Sequence, residues 1–468
     1  MHKILSCTLV LTISTVLSVS AEIKLSALFT DNMVLQQRSR VKIWGTSSLK
    51  EKVRIRTSWN SNRYEIRPDS TGRWIIEIQT PVAGGPYQID VSGQNQLSLK
   101  NVLIGEVWLC SGQSNMDMPV KGYYNSPVLH SNDILANSSN SRIRMFHVAK
   151  KTSSVPLVDV NGQWEQASSS SVKEFSAVGY LFSAYLSKQL NVPVGIIQVT
   201  CGGSPIESWI DETALNDLTR AGVLSGGATT KAVHHVPSSL FNGMISPLVG
   251  YGIAGVIWYQ GEQNRYNYED YSFLQPAMVE SWRKLWRIGN WPFFYVQIAP
   301  MHYPETQKRL LPFLREVQLQ ATEKIPNSGM AVSLDAGEEN NIHPANKDII
   351  AKRLAYLALV KTYNRTGVSA IAPQYKSFKI LKDSISVQFS HSPMGMTTFG
   401  KKLSQFELAG SDRVFYKATA EIKGSNVLVY SDAVKLPVAV RYAFKDWAVA
   451  ELYSIEGLPV SPFRSDDW

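Results

Sequence analysis

The sequence predicts an α/β protein whose core is a doubly wound parallel sheet, flanked on each side by a β-rich domain. Continuous apolar runs, with amphipathic segments of helical length between them, predict the sheet. Strands of a parallel sheet are buried on both faces, so they read as unbroken apolar runs and not as alternating ones. Five such runs occur in order: VLIGEVWLC, VGIIQVT, GIAGVIWYQ, PFFYVQIAP and GMAVSLD.

The segments between these runs have the period of an amphipathic helix. The apolar side chains of one predicted helix share a single face: Val178, Leu181, Phe182, Tyr185 and Leu186. The stretch DIIAKRLAYLALV, which follows His343, repeats the pattern. Strand and helix alternate in this way over residues 102–366, the central domain.

The two flanking regions have a different pattern. Residues 22–101 contain short alternating runs punctuated by Gly, Asn, Asp and Pro, which predicts a small antiparallel β-sandwich domain. Alternating runs return after Val368, so residues 367–468 are predicted to form a C-terminal β-rich domain.

The first 21 residues are typical of a secretory signal peptide. One Lys precedes an apolar run, and small residues end at Ala21, where a signal peptidase would cut. We therefore expect a secreted or periplasmic protein. No later run reaches the ~18 apolar residues that a membrane-spanning helix needs, so no membrane partner is expected.

The composition argues against nucleic acid as a partner. The formal net charge is +9, but Lys and Arg are scattered among acids and form no cluster. A scattered excess of this kind is typical of a solvated surface.

Two cysteines remain after the predicted signal peptide, Cys110 and Cys201. Export would permit a disulfide. Both residues end strand-like runs, and a bridge between adjacent parallel strands strains disulfide geometry, which favours free buried thiols.

Polar clusters that follow the apolar runs are the candidate functional residues, because ligands of an open α/β sheet bind beyond the carboxyl ends of its strands. The four clusters are CSGQSN, CGGSPIESW, WYQGEQNRY and DAGEENNIHPANK. Ser114 is placed as a nucleophile, and His343 as its general base. The backbone N–H groups of Ser114 and Gly203, with the Asn264 side chain, would form an oxyanion hole. Each residue alone is more often a cap or a turn residue; their shared position indicates acyl transfer.

These blocks also resemble a known family. GQSNM at 112–116, GGSPIESW at 202–209, WYQGEQN at 258–264 and NIHPANK at 341–347 are similar to the motifs of bacterial sialate O-acetylesterases, within the SGNH hydrolase superfamily. The resemblance extends to DNMVLQQ at 31–37 and to the C-terminal GLPVSPFRSDDW. It implies an SGNH-type fold and an O-acetylated sugar as substrate. It also implies that Ser114 is the nucleophile, His343 the base, and Gly203 and Asn264 oxyanion donors.

One position departs from the family pattern. SGNH enzymes usually carry an Asp two or three residues before the catalytic His, where this chain has Asn341 and Asn340. Three interpretations follow. A backbone carbonyl orients His343 in a Ser-His dyad; an acid of the same loop, Asp335, Glu338 or Glu339, replaces the missing Asp; or the protein is an impaired catalyst. The first two are favoured because every other element is present.

Three residues beside Asn264 are predicted to contact the substrate: Gln260, Glu262 and Arg265. No His, Cys, Asp or Glu cluster has metal-ligand spacing, and no Gly-rich phosphate loop opens a helix, so we expect no cofactor.

The sequence thus predicts a secreted serine esterase that removes O-acetyl groups from sialic acids. The alternatives are an acetylesterase acting on another glycan, such as xylan, and a glycan-binding relative impaired in catalysis. The acetyl position and the oligomeric state are left open.

Overall fold

The computed structural model describes residues 22–224, 232–304 and 310–468. The predicted signal peptide, residues 1–21, lies outside the described residues. The first strands of the described chain are β1 (Lys24–Leu25), β2 (Val34–Gln36), β3 (Arg40–Thr46), β4 (Val53–Thr57), β5 (Arg63–Ile66), β6 (Arg73–Gln79) and β7 (Gly84–Ser92). Strands β1, β3 and β6 form one antiparallel sheet, and β4 pairs with both β5 and β7 in a second. Alternate side chains of β6 are buried and exposed, as the alternating pattern predicted.

One long strand joins this N-terminal part to the central sheet. Strand β8 (Gln96–Gly112) pairs with β7 along its first half. Its second half is buried and pairs with two strands of the central sheet. The predicted domain boundary at residue 102 therefore falls inside a continuous strand and not in a linker.

The remaining strands of the central sheet are β9 (Asn140–His147), β10 (Trp164–Ala167), β11 (Val194–Thr200), β12 (Gly255–Tyr259), β13 (Phe293–Val296) and β14 (Ser328–Ala331). Their order is β10-β9-β11-β8-β12-β13-β14, and every pair is parallel except β10 with β9. Strands β11 to β14 are buried along their whole length, which confirms the predicted parallel sheet.

The α-helices of the described chain are α1 (Ser114–Asp117), α2 (Ser131–Ala136), α3 (Ser169–Lys173), α4 (Ala177–Leu190), α5 (Glu212–Arg220), α6 (Tyr268–Trp286), α7 (Leu311–Lys324) and α8 (Lys347–Lys361). Successive residues of β12 belong to different apolar clusters. Ile257 packs in a cluster with residues of α4 and α8, whereas Trp258 packs in a cluster with residues of α6 and α7. Helices therefore cover both faces, and the prediction of a doubly wound sheet is confirmed.

Strands return after α8, as predicted. They are β15 (Gln374–Leu381), β16 (Ser384–Ser390), β17 (Met396–Thr397), β18 (Phe406–Ala409), β19 (Phe415–Lys417), β20 (Thr419–Lys423), β21 (Asn426–Tyr430), β22 (Ala439–Tyr442), β23 (Tyr453–Ser454) and β24 (Phe463–Arg464). They form sheets in the orders β15-β16-β21-β20 and β19-β18-β22-β24, with β17 paired to β23. The Arg464 guanidinium forms a two-bond ion pair with Glu316 of α7, which ties this region to the central domain.

Two further expectations concern chemistry outside the site. Cys110 and Cys201 are both buried and free, so the prediction of free thiols is confirmed. Among the helices of the described ranges, none has the length and apolar character needed to cross a bilayer.

Candidate active site

Ser114 lies where the central strand β8 ends. Gly112, the last residue of β8, has φ +138°, and a Cβ atom there would lie 2.2 Å from the Tyr259 carbonyl oxygen. Only glycine fits this close approach. Gln113 then adopts an extended conformation as the N-cap of α1, so the strand turns sharply and presents a partly exposed Ser114. Strand β8 lies between β11 and β12, at the topological switch point where ligands of such sheets bind.

His343 lies on the loop before α8, and two contacts hold this loop against the Ser114 turn. The Asn115 side-chain amide donates a hydrogen bond to the Ile342 carbonyl at 3.0 Å. The Tyr123 hydroxyl donates to Asp117 at 3.0 Å and also lies 3.3 Å from the Ser114 carbonyl oxygen, and the Tyr123 ring meets the His343 ring edge-on with centroids 5.2 Å apart. The structure therefore brings the neighbourhoods of the predicted nucleophile and base together, across more than 200 positions of sequence.

The environment of His343 favours its neutral form. Burial, and to a smaller extent the charge of nearby Lys347, lower the pKa of His343 below its usual 6.5. A neutral imidazole can accept the proton of a serine hydroxyl.

Asp335 does not take the place of the missing triad acid. Its two carboxylate oxygens accept hydrogen bonds from the Arg353 guanidinium, both at 2.6 Å. A two-bond pair of this kind, with the Arg353 side chain buried, fixes the carboxylate in place. The expectation that Asp335 turns toward His343 does not fit this position, because its charge is already paired within the fold.

The other two acids of the loop are also placed elsewhere. Glu338 accepts hydrogen bonds from the Asn341 amide at 2.9 Å and from a backbone N–H at 2.6 Å, and Glu339 is exposed. Asn341 in turn accepts from the backbone N–H of His343 at 3.0 Å. In the described part of the chain, no carboxylate hydrogen-bonds the His343 ring. Asn341 shapes the loop backbone instead of holding the imidazole.

The predicted glycine pair lies beside the nucleophile. Strand β11 is in register with β8 up to the pair Thr200 and Gly112, so the next residues run past Ser114. A Cβ atom on Gly202 would lie 3.6 Å from the Ser114 Cβ. Gly203 has φ +70°, which favours glycine, and its carbonyl is held by the His235 ring at 2.8 Å.

Asn264 lies near this glycine pair, but its side chain is already engaged. Its amide oxygen accepts hydrogen bonds from the Ile206 backbone at 2.9 Å and from Gln260 at 2.7 Å. Its amide nitrogen donates to Glu207 at 2.8 Å and, more weakly, to Asn267 at 3.3 Å. An oxyanion would have to take the N–H now shared with Asn267, so the donor role of Asn264 stays a prediction.

Gln260 and Glu262 occupy internal positions. Gln260 is fully buried, and its amide donates to Ser204 and Asn264. Glu262 is 5% exposed and accepts from the Asn115 amide at 2.7 Å; burial raises the pKa of Glu262. The expectation that these two side chains contact the substrate does not fit their burial. They brace the loop after β12.

Arg265 is the member of the predicted trio that reaches the surface. One guanidinium N–H donates to the Glu262 carbonyl at 2.6 Å, and the guanidinium stacks 4.5 Å from the Tyr266 ring centroid. Among the described residues, no carboxylate lies within ion-pair distance of Arg265. Its Nε atom is buried and lacks a hydrogen-bond partner in the same part of the chain. Within the described residues, the Arg265 guanidinium is therefore held by a backbone carbonyl and an aromatic ring and not by a carboxylate.

Two residues of the site were missed in the sequence. Lys347 is 1% exposed, and its Nζ donates to the Asn115 Oδ1 at 2.6 Å. Burial lowers the pKa of Lys347 to about 7, although Glu262 and Glu338 oppose the shift. Both residues lie inside the quoted motifs, Asn115 in GQSNM and Lys347 in NIHPANK, and that shared position is the signal that could have found them. In the described ranges, no group of three His, Cys, Asp or Glu residues could hold a metal ion.

Comparison with known proteins shows the family of the chain. A family model described as "Carbohydrate esterase, sialic acid-specific acetylesterase" matches residues 104–356, which is more than half of the chain and includes Ser114 and His343. The chain belongs to this carbohydrate esterase family. The family confirms the reaction class predicted from the sequence, hydrolysis of an ester bond.

This carbohydrate esterase has relatives of similar sequence and a relative of known crystal structure. A carbohydrate acetylesterase from Xanthomonas citri, known from a crystal structure, is 33% identical with a TM-score of 0.86, covering 95% of this chain and 100% of that one. Sialate O-acetylesterase from Homo sapiens is 29% identical over 340 residues, and the alignment spans 66% of this chain and 64% of the human protein. The rat sialate O-acetylesterase (Rattus norvegicus) is 28% identical over 514 residues, or 94% of each chain. The similarity to the Xanthomonas structure confirms the SGNH-type fold.

Proposed function

We propose that this carbohydrate esterase is a sialate O-acetylesterase that removes O-acetyl groups from sialic acids. The observation that carries the proposal is the pair of contacts to the His343 loop, from Asn115 to the Ile342 carbonyl and from the Tyr123 ring to the His343 ring, at the switch point of the sheet. The mammalian relatives, which are sialate O-acetylesterases, supply the substrate class.

The proposed reaction passes through an acetyl-enzyme. The Ser114 Oγ attacks the acetyl carbonyl, and His343 accepts the hydroxyl proton. The N–H groups of Ser114 and Gly203, with Asn264, stabilise the oxyanion. His343 then gives its proton to the sugar oxygen that leaves. A water molecule, deprotonated by His343, hydrolyses the acetyl-enzyme, which releases acetate and restores Ser114.

The proposal treats Ser114 and His343 as a dyad. The lowered pKa of His343 and the absence of a hydrogen-bonded carboxylate in the described part of the chain support this. A dyad base stays neutral at mildly acidic pH but gains no anionic stabilisation when it becomes an imidazolium. We therefore expect the acid limb of kcat/KM to lie below pH 6.5, because that limb reports the base of the free enzyme.

Arg265 supports an anionic sugar as the substrate. Sialic acids carry a carboxylate, whereas acetylated xylan is neutral. The Arg265 guanidinium has no carboxylate within ion-pair distance among the described residues. It lies on the loop that also carries Asn264, where it suits the recognition of such a carboxylate. The alternative substrate, a neutral glycan, has no carboxylate to pair with this charge.

Parallel assays on O-acetylated sialic acid and on acetylated xylan test the substrate, with Ser114→Ala as the control for each. We expect Ser114-dependent release of acetate, faster from sialic acid. Preference for xylan would replace the substrate class. Release no faster than that of Ser114→Ala from either substrate, or from a small acetate ester, would favour a glycan-binding protein without catalysis.

We also propose that the protein is exported and acts in the periplasm or outside the cell. The Lys, apolar run and small residues within positions 1–21 support this proposal. Expression of the full chain, followed by N-terminal sequencing of the mature protein, tests it. Cleavage before Glu22 is expected, and an intact Met1 in a cytoplasmic fraction would overturn it.

A further inference from the structure

A buried chain of polar side chains lies beneath the proposed catalytic pair. The Lys347 ammonium donates to the Asn115 amide oxygen at 2.6 Å, and the Asn115 amide nitrogen donates to the Glu262 carboxylate at 2.7 Å. The same amide nitrogen donates to the Ile342 carbonyl at 3.0 Å. Lys347, Asn115 and Glu262 are 1%, 0% and 5% exposed. Asn115 is thus held from three sides.

Burial of the charged Lys347 side chain reduces the stability of the fold. A buried ammonium loses its hydration, and well-packed apolar residues usually stabilise a core as well or better. The hydrogen bonds and charges around Lys347 offset only part of this lost hydration, because the pKa of Lys347 remains lowered to about 7. One Glu262 carboxylate oxygen is also buried without a hydrogen-bond partner among the described residues. In some proteins, buried polar groups of this kind fix geometry at a cost in stability.

We propose that Lys347 is a positioning residue for the ester hydrolysis described above: through Asn115 it fixes the Ser114 turn against the His343 loop. The inference rests on the proposed function. Asn115 directly follows Ser114, and Ile342 directly precedes His343, so one amide sets the spacing of both. Lys347 orients that amide, because an ammonium can only donate and therefore selects the oxygen of Asn115. The nitrogen is then directed toward Glu262 and Ile342.

Lys347 also has an electrostatic effect on His343. The His343 ring is faced by Lys347 from α8 and by Tyr123 from the loop after α1, whose hydroxyl binds Asp117. Lys347 is itself faced by Glu262 from the loop after β12, by Glu338 from the His343 loop and by the Tyr259 ring. A cation beside the ring opposes protonation of the imidazole, so loss of the charge should raise the pKa of His343.

Two substitutions distinguish the positioning effect of Lys347 from its electrostatic effect. Lys347→Met removes both the charge and the donor. Lys347→Gln removes the charge but keeps an amide that can donate to Asn115. The matched control is Lys352→Met, on the solvent-facing side of α8, where Lys352 pairs with Asp348. The readouts are the pH profile of kcat/KM on a small acetate ester and the His343 pKa measured by NMR, assigned with His343→Ala.

We expect both Lys347 variants to raise the His343 pKa and the acid limb by about one pH unit or more, since a single charge still has that effect roughly 12 Å away at an effective dielectric near 20. Lys347→Met should also lower kcat by roughly tenfold or more, and Lys347→Gln by less, because misplaced groups slow the chemical step. Lys352→Met should match wild type.

An unchanged His343 pKa in folded Lys347→Gln, together with unchanged kcat in folded Lys347→Met, would overturn the proposal. If Lys347→Met does not fold, equal kcat for Lys347→Gln and wild type, with an unchanged pKa, would overturn it. The NMR titration needs no turnover, so it separates the failure of this inference from the failure of the proposed function. The latter would appear as wild-type turnover equal to that of Ser114→Ala.

Discussion

The Asn115 side-chain amide donates a hydrogen bond to the Ile342 carbonyl at 3.0 Å, which joins the residue after the proposed nucleophile to the residue before the proposed base. The side chain is fully buried and contacts no solvent. Its role is therefore to hold two segments of chain at a fixed separation.

Asn115→Ala should lower kcat by about 10²-fold while KM changes little, because displacement of reacting groups by ~1 Å costs about that much. Steady-state kinetics on a small acetate ester, with circular dichroism to check the fold, provide the measurement. Asn137→Ala, on the exposed turn after α2, is a matched control and should resemble wild type. A folded Asn115→Ala enzyme with normal kcat would show that the link is dispensable.

Asp335→Asn should reduce stability more than activity. Arg353 is buried, and loss of its carboxylate partner leaves an uncompensated charge, which in other proteins costs about 3–5 kcal/mol. Turnover should stay within about tenfold of wild type, a barrier change of no more than ~1.4 kcal/mol. Urea denaturation and kcat are measured on the same preparation. A loss of ~10³ in kcat with normal stability would instead make Asp335 the triad acid.

Arg265→Gln should remove the preference for an anionic sugar. A hydrogen bond to a charged group contributes about 1.5–3 kcal/mol, so kcat/KM on O-acetylated sialic acid should fall roughly 10- to 100-fold. The methyl ester of the same sugar, which lacks the negative charge, should be hydrolysed equally by both enzymes. Arg413→Gln is the control, because Arg413 also stacks on an aromatic ring but lies in the C-terminal region. Equal losses on the acid and its methyl ester would rule out recognition of the carboxylate.

Lys347 should make stability depend on pH in a defined direction. Its pKa is about 7 in the folded protein and about 10.4 in an unfolded chain. The penalty for burying the charge is fully present below pH 7 and is relieved as pH rises between these two values. The free energy of unfolding of wild type, relative to Lys347→Met, should therefore rise across this window by at most about 1.4 kcal/mol per pH unit. Urea denaturation at several pH values measures the difference, and a constant difference would mean that Lys347 titrates normally.

Much of the fold could be predicted because a continuous apolar run indicates a strand that is buried on both faces. Strand β9 was missed because Arg142 and Arg144 interrupt its apolar run. Arg144 is nevertheless buried, where it donates to Ser141 and to the side chains of Asn32 and Asn101. Asn32 and Asn101 lie far from Arg144 in the sequence, so the local sequence pattern does not identify them as its partners.

The same limit applies to the site. The proximity of Ser114, Gly203 and His343 could be predicted because each follows a strand, and the carboxyl ends of parallel strands meet at one edge. The pairing of Asp335 with Arg353 could not be predicted, because Arg353 also fits the polar face of an ordinary helix. The bond between Lys347 and Asn115 spans 232 positions, and it becomes visible only when the His343 loop is placed against the Ser114 turn.

The central claim, that Ser114 is acylated with His343 as its base, is tested most directly by trapping the acetyl-enzyme. The enzyme is mixed with a small acetate ester, quenched in acid within the first turnover, and examined by peptide mass spectrometry. One acetyl group on Ser114 is expected in wild type, with none in Ser114→Ala and slow accumulation in His343→Ala. Wild-type turnover without acetylated Ser114 at any quench time, or undiminished turnover in Ser114→Ala, would contradict the account.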